Sequence, residues 1–121
     1  MGVSFVLDEN SLAKALLHAL SKAVLRGELD IVTVGDRPAL PRAMPDPLLL
    51  QWADRERRIV VFRDRRTLIR DYWARVVVKP GQPGLFILRT VKSVDEIEKW
   101  LVEVSKNSTF EARVDGVHFV P

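Results

Sequence analysis

The amino-acid sequence predicts an α/β layered domain with a mainly parallel central sheet, and three observations carry that reading. Strand-like and helix-like segments alternate four times along the chain. The strand-like runs are continuously apolar, as strands covered on both faces are, rather than alternating with polar residues. No internal repeat or low-complexity segment interrupts the alternation.

Each element has its own local cause. The opening run "VSFVL" (3–7) reads as a buried strand that stops abruptly at Asp8, Glu9 and Asn10. In "SLAKALLHALSKAVLRG" the apolar residues recur at helical spacing, and Gly27 stands where a helix C-terminal cap belongs. "DIVTVG" is a second strand, β-branched from Ile31 to Val34, and a loop with Pro38, Pro41, Pro45 and Pro47 follows. Asp46-Pro47 reads as an N-cap with proline at the first helical position, opening the helix "LLLQWADRE". "RIVVFRD" is a third strand, again ending on an aspartate, and "RTLIRDYWARVVV" has a helical pattern. "KPGQPG" breaks the chain before the fourth strand, "LFILR". "SVDEIEKWLVEVSK" carries a capping box, Ser93 with Glu96 three residues on. The closing "TFEARVDGVHFVP" predicts a C-terminal β-hairpin around Asp115-Gly116.

The 121 residues suffice for one layered core and are too few for two, so a single domain over 1–121 is expected. The absence of cysteine excludes disulfides, thiolate catalysis and Cys-based metal sites, and a reducing cytoplasm is the expected compartment. Apolar runs are short and broken by charge, so neither a membrane span nor a cleavable signal is expected. Net charge is only +3, but it is uneven. Residues 51–79 hold nine Lys/Arg against four Asp/Glu, an excess that makes a polyanionic partner such as RNA the natural expectation, with a solvated helix face as the plain alternative.

The acidic strand ends are the chemical signal. Adjacent parallel strands lie about 4.8 Å apart, and ligands of such sheets sit outside the strand carboxyl ends, where strand order reverses. If the first and third strands are neighbours, Asp8 and Asp64 share one crevice, and their repulsion would cost on the order of a few kcal/mol unless a cation cancels it. Mg²⁺ or Mn²⁺ prefers such hard oxygen ligands, and Glu9 and Asp46 are the candidates to join. Each acid also has a plainer role: Asp46 as an N-cap, Asp64 as a surface partner of Arg63, Arg65 or Arg66, and Glu9 and Asn10 as first-turn residues of a helix. His18 and His118 are isolated in sequence, and Trp52, Trp73 and Trp100 lie in helical segments where packing against the sheet explains them. No GxGxxG, phosphate-loop, GxSxG or HExxH pattern is present.

The order and spacing of "FVLDEN", "VTVGDR", "PDPLLLQWADRERRIVVFRD", "RRTL", "PGLFILR" and the closing "FEARVDGVHFVP" resemble the small PIN-like domains related to toxin ribonucleases of toxin–antitoxin pairs. The resemblance implies a three-layer α/β/α sandwich whose acids, Asp8, Asp46 and Asp64, hold Mg²⁺ or Mn²⁺ for hydrolysis of RNA phosphodiesters. It implies accessory roles for Glu9, Asn10 and Thr67, with Asp71 as a candidate fourth acid and Arg63, Arg65, Arg66 and Arg70 contacting RNA. An antitoxin protein and a homodimer are the partners it suggests. Where many members carry histidine before the third-strand aspartate, this chain has Arg63, and a non-catalytic module binding nucleic acid or a protein is the alternative function. Response-regulator receiver domains are a third comparison, with acids after the first and third strands and Thr90 after the fourth, but no lysine closes the last strand here.

Overall fold

The computed structural model describes residues 3–8, 14–63, 66–88 and 93–120. In chain order these form β1 (Ser4–Leu7), α1 (Lys14–Leu25), β2 (Asp30–Thr33), α2 (Asp46–Glu56), β3 (Ile59–Arg63), α3 (Arg66–Val78), β4 (Leu85–Leu88), α4 (Val94–Asn107) and β5 (Val117–Val120). The five strands make one sheet in the order β2-β1-β3-β4-β5, and every pairing is parallel. The α/β expectation holds, and the layers follow from the period-two alternation of side chains along each strand. Phe5, Leu7, Val61 and Phe86 face the layer of α1 and α4. Val6, Val60, Phe62 and Ile87 face the layer of α2 and α3. A strand buried on both faces must be apolar at every position, which is why β3 reads Ile-Val-Val-Phe without a break.

Local signals behave largely as the sequence predicts. Gly27 adopts φ of 75° after α1, and its N–H and that of Glu28 close the last turn onto Val24 and Ala23. The Ser93 hydroxyl accepts the Glu96 N–H at 3.2 Å. Ser93→Ala should therefore cost about 1 kcal/mol in a urea unfolding titration; an unchanged midpoint would mean that water caps α4 equally well. The α2 start differs by one residue. Pro45 holds the cap position with no side-chain cap bond, and Asp46 is the first helical residue.

The last crossover departs from expectation. From β2 to β3, β3 to β4 and β4 to β5 the chain steps in one direction along the sheet, yet α2 and α3 cover one face and α4 the other, against α1. The β4–α4–β5 connection is therefore opposite in hand to the other three, against the strong general preference for a single, right-handed sense. In a regular doubly wound sheet of this strand order α4 would lie beside α3. The topological comparison with receiver domains fails at this point.

The predicted C-terminal hairpin is also corrected. Residues Glu111–Arg113 form one 3-10 turn, and β5 is a single strand parallel to β4. Asp115 does turn the chain, at φ of 56°, but its carboxylate accepts the N–H groups of Gly81 and Gln82 at 2.9 and 2.7 Å. Those bonds fasten the turn to the loop before β4, so a tertiary partner wins over the local hairpin preference. Gly84 lies under the same turn, where an added Cβ would come within 2.5 Å of the Arg113 carbonyl oxygen. Gly84→Ala should destabilise by about 1–3 kcal/mol, as overpacking against backbone does, read as a lower urea midpoint; a neutral result would mean the 110–116 segment shifts freely.

Candidate functional site at the strand carboxyl ends

Asp8 follows β1, a central strand, and is only 5% exposed. Its N–H donates to the Val61 carbonyl at 2.9 Å and so carries the β1–β3 ladder one residue past the strand. With that register, Asp8 stands two residues beyond Val6 and on the same side of the sheet, the α2/α3 side. The N-termini of α2 and α3 lie at this end, and their positive dipole ends favour a carboxylate there. A buried acid at a strand end is thereby supported by backbone geometry before any ligand is considered.

Asp46 and Thr67 come from those same helix starts. The Thr67 hydroxyl donates to Asp46 Oδ2 at 3.2 Å, across 21 residues of sequence. N-capping no longer accounts for Asp46, because Pro45 occupies the cap position. The bond to Thr67 instead fixes the carboxylate's orientation. Asp71 is one turn further along α3, partly buried, with Arg70 Nε 3.8 Å from its carboxylate.

The predicted arginines divide. Arg66 and Arg70 are exposed on the first turns of α3. Arg63 is exposed too, but it pairs with Leu88 in register and so projects toward the α1/α4 side, the face opposite Asp8. The wider basic run of residues 51–79 is split as well, between the two ends of α3, a 13-residue helix about 18 Å long. Arg58 at the amino end of β3 is engaged by Asp30 Oδ1 at 2.9 Å and by the Phe5 carbonyl at 3.0 Å. Of the tryptophans, Trp52 is buried and Trp100 meets Phe86 edge-on at 4.9 Å, as packing predicts, whereas Trp73 is 43% exposed. His118 lies edge-on to Phe86, and burial followed by the nearby Arg113 charge holds its imidazole below the ordinary histidine range, a structural setting.

Asp64, Arg65, Glu9, Asn10 and Thr90 lie outside the described residues. Among the described residues no group of three or more His, Cys, Asp or Glu side chains is placed to hold a metal ion. The described oxygen donors at this end include the Asp8 and Asp46 carboxylates and the Thr67 hydroxyl, the hard-ligand type that suits Mg²⁺ or Mn²⁺.

Two features escaped the sequence reading. Asp36, just past β2, accepts the Thr33 N–H at 3.2 Å and closes the turn beside β1. Asp54 is a buried carboxylate at the far end of α2, surrounded by Arg57, Arg75 and Lys79. The spacing of Arg75 and Lys79, one helical turn apart, was the available signal. No protein-family model, curated protein or solved structure matches this chain. What fold and geometry define is thus a class: a three-layer α/β/α protein with a parallel sheet and a buried carboxylate at its strand-order switch. Among the described residues no helix is long and apolar enough to cross a membrane.

Proposed function

We propose that the chain is a PIN-like, metal-dependent ribonuclease acting at the strand carboxyl ends. The observation that carries this reading is Asp8, a buried carboxylate beside the β1/β3 switch point, where sheets of this order accept ligands. Mg²⁺ or Mn²⁺ held by Asp8 and Asp46, with Asp64 and Glu9, would supply Lewis-acid activation of water and charge neutralisation at the scissile phosphate.

The residues have separable tasks. Asp8, its main chain held to β3 by a backbone bond, would offer its carboxylate to the metal from a fixed backbone position. Thr67 orients Asp46 through its hydroxyl. Arg66 and Arg70, exposed at the start of α3, attract and position flanking phosphates without reading sequence. Asn10 and Asp71 keep accessory roles, and Arg63, on the other face, is suited to a more distant part of the RNA. The same reading makes an antitoxin protein covering the acidic end, a homodimer and a cytoplasmic setting the expected context.

The direct test is calorimetric titration of Mn²⁺ into the wild-type protein and an Asp8→Asn/Asp64→Asn variant. Saturable binding that vanishes in the variant supports the metal site. No binding to the wild type would leave a non-catalytic PIN-like binding module as the better reading.

A further inference from the structure

A second polar site lies at the opposite end of the molecule, where α2 and α3 terminate. There an open cleft of about 580 Å³ is lined by Gln51, Asp54, Arg55, Arg57, Arg75 and Lys79. Its organiser is Asp54, 7% exposed, whose Oδ2 receives Lys79 Nζ at 2.8 Å and Arg75 Nη2 at 3.1 Å, while Oδ1 receives Arg57 Nη1 at 2.8 Å. Arg75 Nε also donates to Gln82 Oε1 at 2.7 Å. Arg57 Nη1 reaches the Gly81 carbonyl at 3.1 Å, and its guanidinium lies 4.4 Å over the Phe110 ring. Arg57, Arg75 and Lys79 are thus held in place before any ligand arrives.

The charges do not balance within the cleft. Four cations face one carboxylate, and Glu56 is not among the lining residues. Complementing two helix C-termini explains part of the surplus, since each carries roughly half a negative charge. About two positive charges remain uncompensated. Lys79 and Arg57 are 67% and 50% exposed, so both can turn donors toward a solute without leaving Asp54. Arg55 lines the same cleft and has no ion-pair partner among the described residues.

We infer that this cleft binds a phosphate monoester group, with Arg55, Arg57 and Lys79 contacting the phosphate, Asp54 positioning Arg57 and Lys79, and Arg75 bracing Asp54. A monoester carries close to two negative charges at neutral pH, which matches the surplus, and arginine forks suit its oxygens. A diester carries one charge and matches less well. The cleft volume falls within the usual range for small-molecule sites, leaving room for the group the phosphate is attached to. The site is independent of the acidic end.

The probe is methyl phosphate, compared with dimethyl phosphate, followed by amide and arginine side-chain NMR shifts at neutral pH. The expected result is saturable methyl phosphate binding in the millimolar range, with shifts mapping to the cleft and no saturation by the diester. Arg57→Gln/Lys79→Gln should weaken binding by about tenfold or more, and Arg55→Gln, which breaks no ion pair, by about threefold. The Asp8→Asn protein should bind as the wild type does, whatever its nuclease activity. Absence of saturation, equal affinity for the diester, or unchanged affinity in the folded Arg55→Gln protein would each overturn the assignment.

Discussion

Asp8→Asn is expected to abolish saturable Mn²⁺ binding and to lower metal-dependent RNA cleavage by at least about a hundredfold, since a positioned metal contributes several kcal/mol of transition-state stabilisation. The substitution preserves shape and removes charge, so a folded protein isolates the electrostatic role. Burial sharpens the contrast: at 5% exposure, water cannot stand in for the lost carboxylate. Two controls separate function from folding. Circular dichroism should stay near wild type, because the Asp8 N–H bond to Val61 is a backbone interaction that asparagine retains, and the urea midpoint reads separately what the carboxylate contributes to stability. Arg66→Gln/Arg70→Gln should instead weaken RNA binding with a shallower salt dependence, leaving Mn²⁺ affinity unaltered. Unchanged cleavage by Asp8→Asn would remove the nuclease reading.

Asp54→Ala is expected to destabilise the fold by about 2–3 kcal/mol, less than the ~3–5 kcal/mol for breaking a fully buried pair. The discount has a structural cause: Lys79 and Arg57 reach solvent once released, whereas Arg75 and Gln82 remain partly or fully enclosed. The pH dependence gives an independent check. Burial alone would raise the Asp54 carboxyl, but hydrogen bonds from Lys79 and Arg75 outweigh it and hold the group below the ordinary aspartate range. A carboxyl depressed in the folded state binds fewer protons than in the unfolded chain. Its contribution is therefore fully present above the unfolded value, near pH 4, and is lost as pH falls through the lower folded value. Asp30, lowered through Ser4 and Arg58 against its own desolvation, acts in the same window but is largely exposed. Urea midpoints measured across the acid range should fall less steeply for Asp54→Asn than for wild type. Parallel curves would mean that Asp54 is not the group that titrates.

Asp8 and Asp54 lie at opposite ends of the α2/α3 layer, and the sequence does not separate the cations that serve each end. Arg57, Arg58, Arg63, Arg66, Arg70, Arg75 and Lys79 read as one basic run. Folding sends Arg57, Arg75 and Lys79 to Asp54, engages Arg58 with Asp30 and the Phe5 carbonyl, and puts Arg63 on the other face from Asp8. Strand parity and helix length decide those destinations, and both require the register and direction of elements far apart in the chain.

Short-range physics made much of the fold legible in the residues alone. The apolar runs became strands, the helical spacings became helices, Gly27 and Ser93 ended and began helices as their conformations and side chains dictate, and "RTLIRDYWARVVV" became α3 residue for residue. The sequence also marked Asp8 as an acid at a strand end. Tertiary structure alone decided the rest. The Asp115-Gly116 turn closed onto Gly81 and Gln82 instead of making a hairpin, because partly buried N–H groups of a distant loop offered its carboxylate better partners than a facing strand did. Asp46 lost its capping role to Pro45 and gained Thr67 from another helix. The hand of the last crossover was set by which face α4 could bury its apolar stripe against, and α1 supplied that face. Local propensity fixes elements within a few residues, whereas partners for charge and apolar surface exist only once the chain has brought distant segments together.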